Sequence, residues 1–297
     1  MKSLRFKKID AFTGAGSSGN PAGYIWMDQA GDLTEQEMQQ IAAELKGFVS
    51  EVGYIYPDGD RFILRYYSSD CEVAFCGHAT IAIMYDLLKS TERGKAAPEV
   101  TIQVKAGNLT VYNHLADEDS VYITAPSPKY LKCPVASHEI AEALGISLSE
   151  INSDLPIRLI DGGLRTLLVP IKGLDPILKI FPDQERLRQF SLSKDFDIVH
   201  VFTDETAQPD NRYRTRVFPP RFGYLEDPAT GSGNSAFGYY LHAENIWPGD
   251  FSIEQGPSRN NPNIVKLKSK MADGETRILF GGRATTRIEG NYLLESL

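Results

Sequence analysis

Glu72-Val73-Ala74-Phe75-Cys76-Gly77-His78-Ala79-Thr80 and Glu226-Asp227-Pro228-Ala229-Thr230-Gly231-Ser232-Gly233-Asn234 are two copies of one pattern, set 154 positions apart in a chain of 297 residues. Each copy has a carboxylate, a small residue plus glycine, then a polar side chain where a helix should begin. Apolar runs follow at Ala79-Thr80-Ile81-Ala82-Ile83-Met84-Tyr85 and at Ser235-Ala236-Phe237-Gly238-Tyr239-Tyr240-Leu241. Neither run has much of a polar face, so each helix must be enclosed on most of its sides. Unbonded N–H groups and the helix dipole favour negative charge at a helix start. Two such starts, one from each half, predict a clamp for one small anion in a cleft between the halves.

Working outward, strand-like runs dominate. Leu4–Phe12, Ala22–Trp26, Val52–Tyr56, Arg61–Tyr67, Val100–Val104, Leu109–Tyr112 and Ser120–Thr124 precede a Pro-containing stretch at Ala125–Pro134. Ile157–Ile160, Leu164–Val169, Asp197–Phe202, Arg212–Phe218, Asn263–Leu267, Thr276–Gly281 and Ala284–Ile288 follow it. Turn residues such as Pro57-Asp58-Gly59 and Ala272-Asp273-Gly274 separate them. Thr34-Glu35-Gln36-Glu37 reads as a capping box, and Leu33, Met38, Ile41, Ala42 and Leu45 then share one helical face. Shorter surface helices are expected at Ser137–Leu144, Pro176–Phe181 and Gln184–Phe190. The economical arrangement is α+β: a strongly curved sheet wrapped around a central helix, twice. A chain of this length ordinarily divides into two domains of about 150 residues. The expected boundaries are 1–126 and 127–283, with a final strand at 284–297 returning to the first domain.

A hydrophobic content of 42% and a charged content of 24% describe an ordinary globular chain. The net charge of −8 argues against nucleic acid or an anionic membrane as partner. The cysteines Cys71, Cys76 and Cys133 form no CxxC pair. With no apolar leader in MKSLRFKKIDAF, they point to a reducing cytoplasm. No stretch reaches the ~18–20 apolar residues of a bilayer span.

Glu51, between the amphipathic helix and the strand at 52–56, is the sharpest single candidate. A carboxylate among apolar neighbours loses hydration, which raises its pKa toward the useful range of a general acid/base; a solvated corner is the plainer alternative. His78 could donate a proton or bind a substrate, or simply cap and pack. His114, His138, His200 and His242 are scattered singly, so no metal is expected. Cys76 at a helix start could be a reactive thiol, but its counterpart Thr230 cannot exchange protons near neutrality. Asp227 and Ser232 bracket the second glycine, as substrate contacts or as ordinary turn and cap residues. No GxGxxG, GxxxxGK[ST] or GxSxG motif is present, and Gly281-Gly282-Arg283 reads as a turn.

These residues resemble a known family. Asp10-Ala11-Phe12-Thr13, Gly19-Asn20-Pro21-Ala22-Gly23, Ser50-Glu51, Cys76-Gly77-His78-Ala79-Thr80 and Glu226-Asp227-Pro228-Ala229-Thr230-Gly231-Ser232 are similar, in order, to the signature of the phenazine-biosynthesis PhzF-like isomerases. That family is related to diaminopimelate epimerase. The resemblance covers essentially the whole chain. It implies the diaminopimelate-epimerase-like fold and cofactor-independent proton transfer on a small carboxylate-bearing molecule. It assigns catalysis to Glu51, with His78, Asp227 and Ser232 around the substrate. Asn20, Cys76, Gly77, Thr230 and Gly231 are then binding positions. Relatives of this kind are often homodimers, so a second copy of the chain is a candidate partner.

Three departures stand out. Thr230 replaces the second cysteine of the epimerases; Val52-Gly53-Tyr54 stands where a Thr-Ala-Phe-like run is usual; Tyr67-Ser68-Ser69-Asp70 replaces Phe-Thr-Pro. An epimerase using Cys76 with a second base, and a non-catalytic binder of small acids, are the alternative readings.

Overall fold

The computed structural model describes residues 1–272 and 274–295, backbone only at 92 and 93. Asp273 of the expected turn and the last two positions of the expected returning strand lie outside them. The chain divides into two compact units, residues 1–13, 18–124 and 281–297 in the first and residues 14–17 and 125–280 in the second.

In the first unit the strands are β1 (Lys2–Ala11), β2 (Asn20–Trp26), β3 (Glu51–Asp58), β4 (Arg61–Ser68), β5 (Glu72–Val73), β6 (Glu99–Val104), β7 (Gly107–His114) and β8 (Ser120–Thr124). The C-terminal strand Ala284–Leu294 runs antiparallel to β1 at its edge. From β1 to β7, leaving aside the short β5 on β4, successive pairings are antiparallel, parallel, antiparallel, parallel and antiparallel.

The second unit has β9 (Lys129–Leu131), β10 (Arg158–Asp161), β11 (Arg165–Pro170), β12 (Ile198–Thr203), β13 (Tyr213–Phe218), β14 (Phe251–Gln255), β15 (Asn263–Ala272) and β16 (Glu275–Gly282). From β10 to β15 the same order of pairings recurs. A helix follows the fourth strand of each series: α1 (Gly77–Ser90) after β4 and α2 (Gly231–Ala243) after β13. The sequence repeat is therefore a repeat of topology.

Both helices are enclosed, as their composition requires. In α1 every residue from Ala79 to Tyr85 is buried, and in α2 every residue from Gly233 to Leu241. Gly53 lies on the β3 face that meets α1, where a Cβ would stand 2.2 Å from Ile83 Cδ1. This explains a glycine inside a strand that otherwise reads Val-Gly-Tyr-Ile. The helix Glu35–Glu44 opens on the expected box: Thr34 Oγ1 accepts from Glu37 N–H at 3.2 Å, and the Glu37 carboxylate accepts from Thr34 N–H at 2.8 Å. Its apolar face buries Met38, Ile41 and Ala42.

Three strands escape a reading of the sequence: the two-residue β5, β9 and β14. β9 lies in the Pro-containing stretch at 125–134, and all three of its residues are exposed. β14 carries Glu254 in mid-strand, which reads as surface. It is fully buried, opposite Arg214 of β13, with Oε2 2.9 Å from the guanidinium Nη1. The helix expected at 176–181 instead spans Leu174–Lys179. Among the described residues no helix is long and apolar enough to cross a membrane.

Candidate active site

The start of α1 is built by its own backbone and by the floor of the sheet. Cys76 is the N-cap residue in an extended conformation, and no side chain caps the helix. The first helical turn closes at Thr80 N–H on Cys76 C=O, 3.0 Å. Thr80 reinforces that turn, its hydroxyl donating to the same carbonyl at 2.7 Å and meeting the Tyr66 hydroxyl at 2.6 Å in full burial. Helix geometry leaves the N–H groups of Gly77, His78 and Ala79 without intrahelical partners.

Glu51 opens β3, held in register between Ala22 of β2 and Ser68 of β4. It shares the helix-facing parity of Gly53, so its carboxylate meets the start of α1. Glu51 Oε2 lies 3.3 Å from His78 Nε2. The approach is close enough for an ion pair with a protonated imidazole, but it is not aligned as a hydrogen bond. Oε2 is buried with no hydrogen-bond partner among the described residues. Cys76 Sγ lies 3.4 Å from His78 Nδ1 and 4.0 Å from Nε2. One imidazole thus lies close to both a thiol and a carboxylate. Asn20 is buried at the first position of β2, opposite Ala11.

In the second unit the corresponding helix start is held differently. Thr230 is the N-cap residue, yet its hydroxyl does not cap; it donates to Asp227 Oδ2 at 2.6 Å. Gln255 of β14 spans the turn, accepting from Thr230 N–H at 3.0 Å and donating to the Asp227 carbonyl at 3.0 Å. Asn234, one turn into α2, donates to Gln255 Oε1 at 2.6 Å and to the Thr230 carbonyl at 2.8 Å, and its own Oδ1 lies 3.1 Å from His200 Nε2. Burial holds His200 down to about 4, against the Asn234 hydrogen bond, so it is neutral near pH 7. Ser232 is the second residue of α2 rather than a cap, and its carbonyl accepts from the Ser235 hydroxyl at 2.8 Å.

Two features of the repeated pattern have architectural partners. Glu72 is held by Arg65 and Lys105, both at 2.8 Å. Glu226 is held by Arg216 through two contacts of 2.9 and 2.8 Å. Each carboxylate thus binds an arginine from the fourth strand of its series, β4 or β13. At Gly231 a Cβ would stand 2.2 Å from the ring of Phe280, so packing alone demands glycine there.

The helix-start cluster adds an arrangement that spacing along the chain does not show. Spacing along the chain offered no metal ligands, but the fold brings one donor atom each from Glu51, Cys76 and His78 within 4.8 Å of one another. Local sequence patterns miss such a trio because Glu51 arrives from a strand edge. Nothing in the sequence marks His200, Asn234 and Gln255 as a group around the second helix start. Their only signal was polar residues inside runs that otherwise read as core.

The model of the phenazine biosynthesis-like proteins, PhzC-PhzF, matches residues 9–290. Over 292 residues the chain is 35% identical to an uncharacterized isomerase, YfhB, of Bacillus subtilis, which spans 96% of this chain and 97% of the relative. It is 27% identical over 291 residues to the trans-2,3-dihydro-3-hydroxyanthranilate isomerase of Pseudomonas fluorescens, covering 96% of this chain and 98% of that one. Among solved structures, a PhzF-family phenazine biosynthesis protein of Bacillus anthracis superposes with a TM-score of 0.86 at 26% identity, over 99% of this chain and 100% of that one.

Proposed function

This chain belongs to the phenazine biosynthesis-like PhzC-PhzF family and is an isomerase; we propose that it moves a carbon-bound proton on a small carboxylate-bearing substrate, with Glu51 as general acid and base and no cofactor. The observation that carries this reading is Glu51 Oε2, a buried acceptor with no hydrogen-bond partner among the described residues, 3.3 Å from His78 Nε2 at an uncapped helix start. An acceptor left unsatisfied in the interior costs about 1–3 kcal/mol, more if charged. Retaining it makes sense where the atom must meet a proton from outside the protein.

Abstraction of a proton from carbon puts negative charge on the substrate. The N–H groups of Gly77 and His78 and the dipole of α1 are already oriented to meet it, so no reorganisation is required as the charge develops. The carboxyl group then holds the proton and can return it to a second carbon, so one residue serves as base and then as acid. His78, beside the carboxylate, orients it and offers a hydrogen bond to the substrate. Asn20, Cys76 and Gly77 complete the first unit's set. In the second unit Asp227 and Ser232, with Thr230 and Gly231, are the residues the family signature assigns to the substrate. Their support here is the uncapped start of α2 and the Gln255–Asn234 scaffold that holds it. Nothing in this scheme requires a thiol.

The test is carbon-bound deuterium uptake in heavy water by a panel of small carboxylic acids, trans-2,3-dihydro-3-hydroxyanthranilate among them. Glu51→Gln keeps the shape and removes the base, so uptake should fall by about 10²–10⁴-fold. A Glu51→Gln protein that exchanges at the wild-type rate refutes the assignment. A second reading, an epimerase built on Cys76, draws on the 3.4 Å approach of its sulfur to His78 Nδ1. It predicts that Cys76→Ala abolishes exchange, whereas the first reading predicts that exchange persists.

A further inference from the structure

We propose that Glu51, Cys76 and His78 form a capture site for Zn²⁺, and that zinc held there locks the isomerase by occupying its base. The three side chains supply an oxygen, a sulfur and a nitrogen, the donor types that zinc takes from proteins. Their donor atoms already lie within 4.8 Å of one another. A tetrahedral zinc with bonds of about 2.0–2.3 Å spaces its donors by roughly 3.3–3.7 Å. Glu51 Oε2 and His78 Nε2 stand at 3.3 Å, while Cys76 Sγ is 4.0 Å from that same nitrogen. The Glu51–Cys76 pair lies within the same 4.8 Å, so side-chain rotation has to draw oxygen and sulfur together by up to about 1 Å.

A second observation is independent of the spacing. Glu51 Oε2 is buried without a hydrogen-bond partner among the described residues, and it is one of the three donors. A cation would satisfy it directly. Charge also balances: thiolate and carboxylate together neutralise Zn²⁺, the thiol proton passing to solvent as the zinc–sulfur bond forms. Three protein ligands leave the fourth position of the tetrahedron open to water or to a substrate carboxylate. The thiolate and imidazole select zinc over Mg²⁺, which prefers oxygen donors.

Cobalt(II) is the spectroscopic probe, in protein carrying Cys71→Ser and Cys133→Ser so that Cys76 is its one thiol. Titration should give one equivalent of bound cobalt with a near-ultraviolet thiolate-to-cobalt charge-transfer band. Zinc should displace it and magnesium should not. Cys76→Ser should abolish the band, while His78→Ala and Glu51→Gln should each weaken binding of both metals by about tenfold or more. Comparing the otherwise unaltered chain with its Cys76→Ser variant covers the case in which the two background substitutions destabilise the fold. No thiolate band in folded protein, or metal affinities indifferent to His78→Ala and Glu51→Gln, would overturn the site. The inhibitory consequence rests on the proposed role of Glu51; the cobalt band does not, so the two can fail separately.

Discussion

Arg214 and Glu254 are fully buried, and their partners explain how that is tolerated. The Arg214 guanidinium donates to Glu254 and to the carbonyls of Gly256 and Ser258. The Glu254 carboxylate also accepts from the N–H groups of Ala207 and Gln208. A buried ion pair of this kind contributes little net stability, but breaking it strands a charge. Arg214→Met should therefore destabilise the protein by about 3–5 kcal/mol in denaturant melts. At the candidate site the same reasoning has the opposite outcome. Glu51 is legible in the sequence as a carboxylate among apolar neighbours, whereas the position of its unpartnered oxygen beside His78 depends on the β2–β3–β4 register.

At the scale of the element, the two central helices were the most legible parts of the chain, because an all-round apolar helix has only one physical solution. Their starts were less legible. Glycine at 231 suggested an anion cradle, yet the ring of Phe280 already forbids a side chain there. Gly231→Ala should cost about 1–3 kcal/mol by overpacking, and Phe280→Leu in the same chain should recover part of that loss in thermal melts. β14 was missed because a strand interior carrying Glu254 resembles surface until Arg214 is seen opposite. β9 was missed because all its residues are exposed and no hydrophobic alternation marks it. The capping box at Thr34, by contrast, needs only residues three apart and was readable as written.

For the molecule as a whole, the pairing order shared by the two units makes each strand comparable with its counterpart. The third strand of each matched series turns a polar side chain toward the start of its helix: Glu51 on β3, His200 on β12. Glu51 keeps an unpartnered oxygen; His200 pairs Nε2 with Asn234 and stacks on the Phe237 ring, 5.2 Å between centroids, while its Nδ1 is buried without a hydrogen-bond partner among the described residues. Burial lowers His200 from its ordinary 6.5 to about 4. Unfolded chains therefore bind a proton there below about 6.5 and folded ones only near 4, so stability falls as pH drops through that window and levels off beneath it. The loss amounts to about 3 kcal/mol. His200→Gln should flatten this part of the pH dependence in denaturant melts. The order of residues along the chain determined the repeat, the enclosed helices, the α+β class and family membership, because periodicity and short motifs are local properties. Only the tertiary structure decided which carboxylates are held by arginines, which glycine is demanded by packing, and that Glu51, Cys76 and His78 share one place. Those outcomes depend on strand register and on contacts between residues far apart in sequence, which no local pattern records.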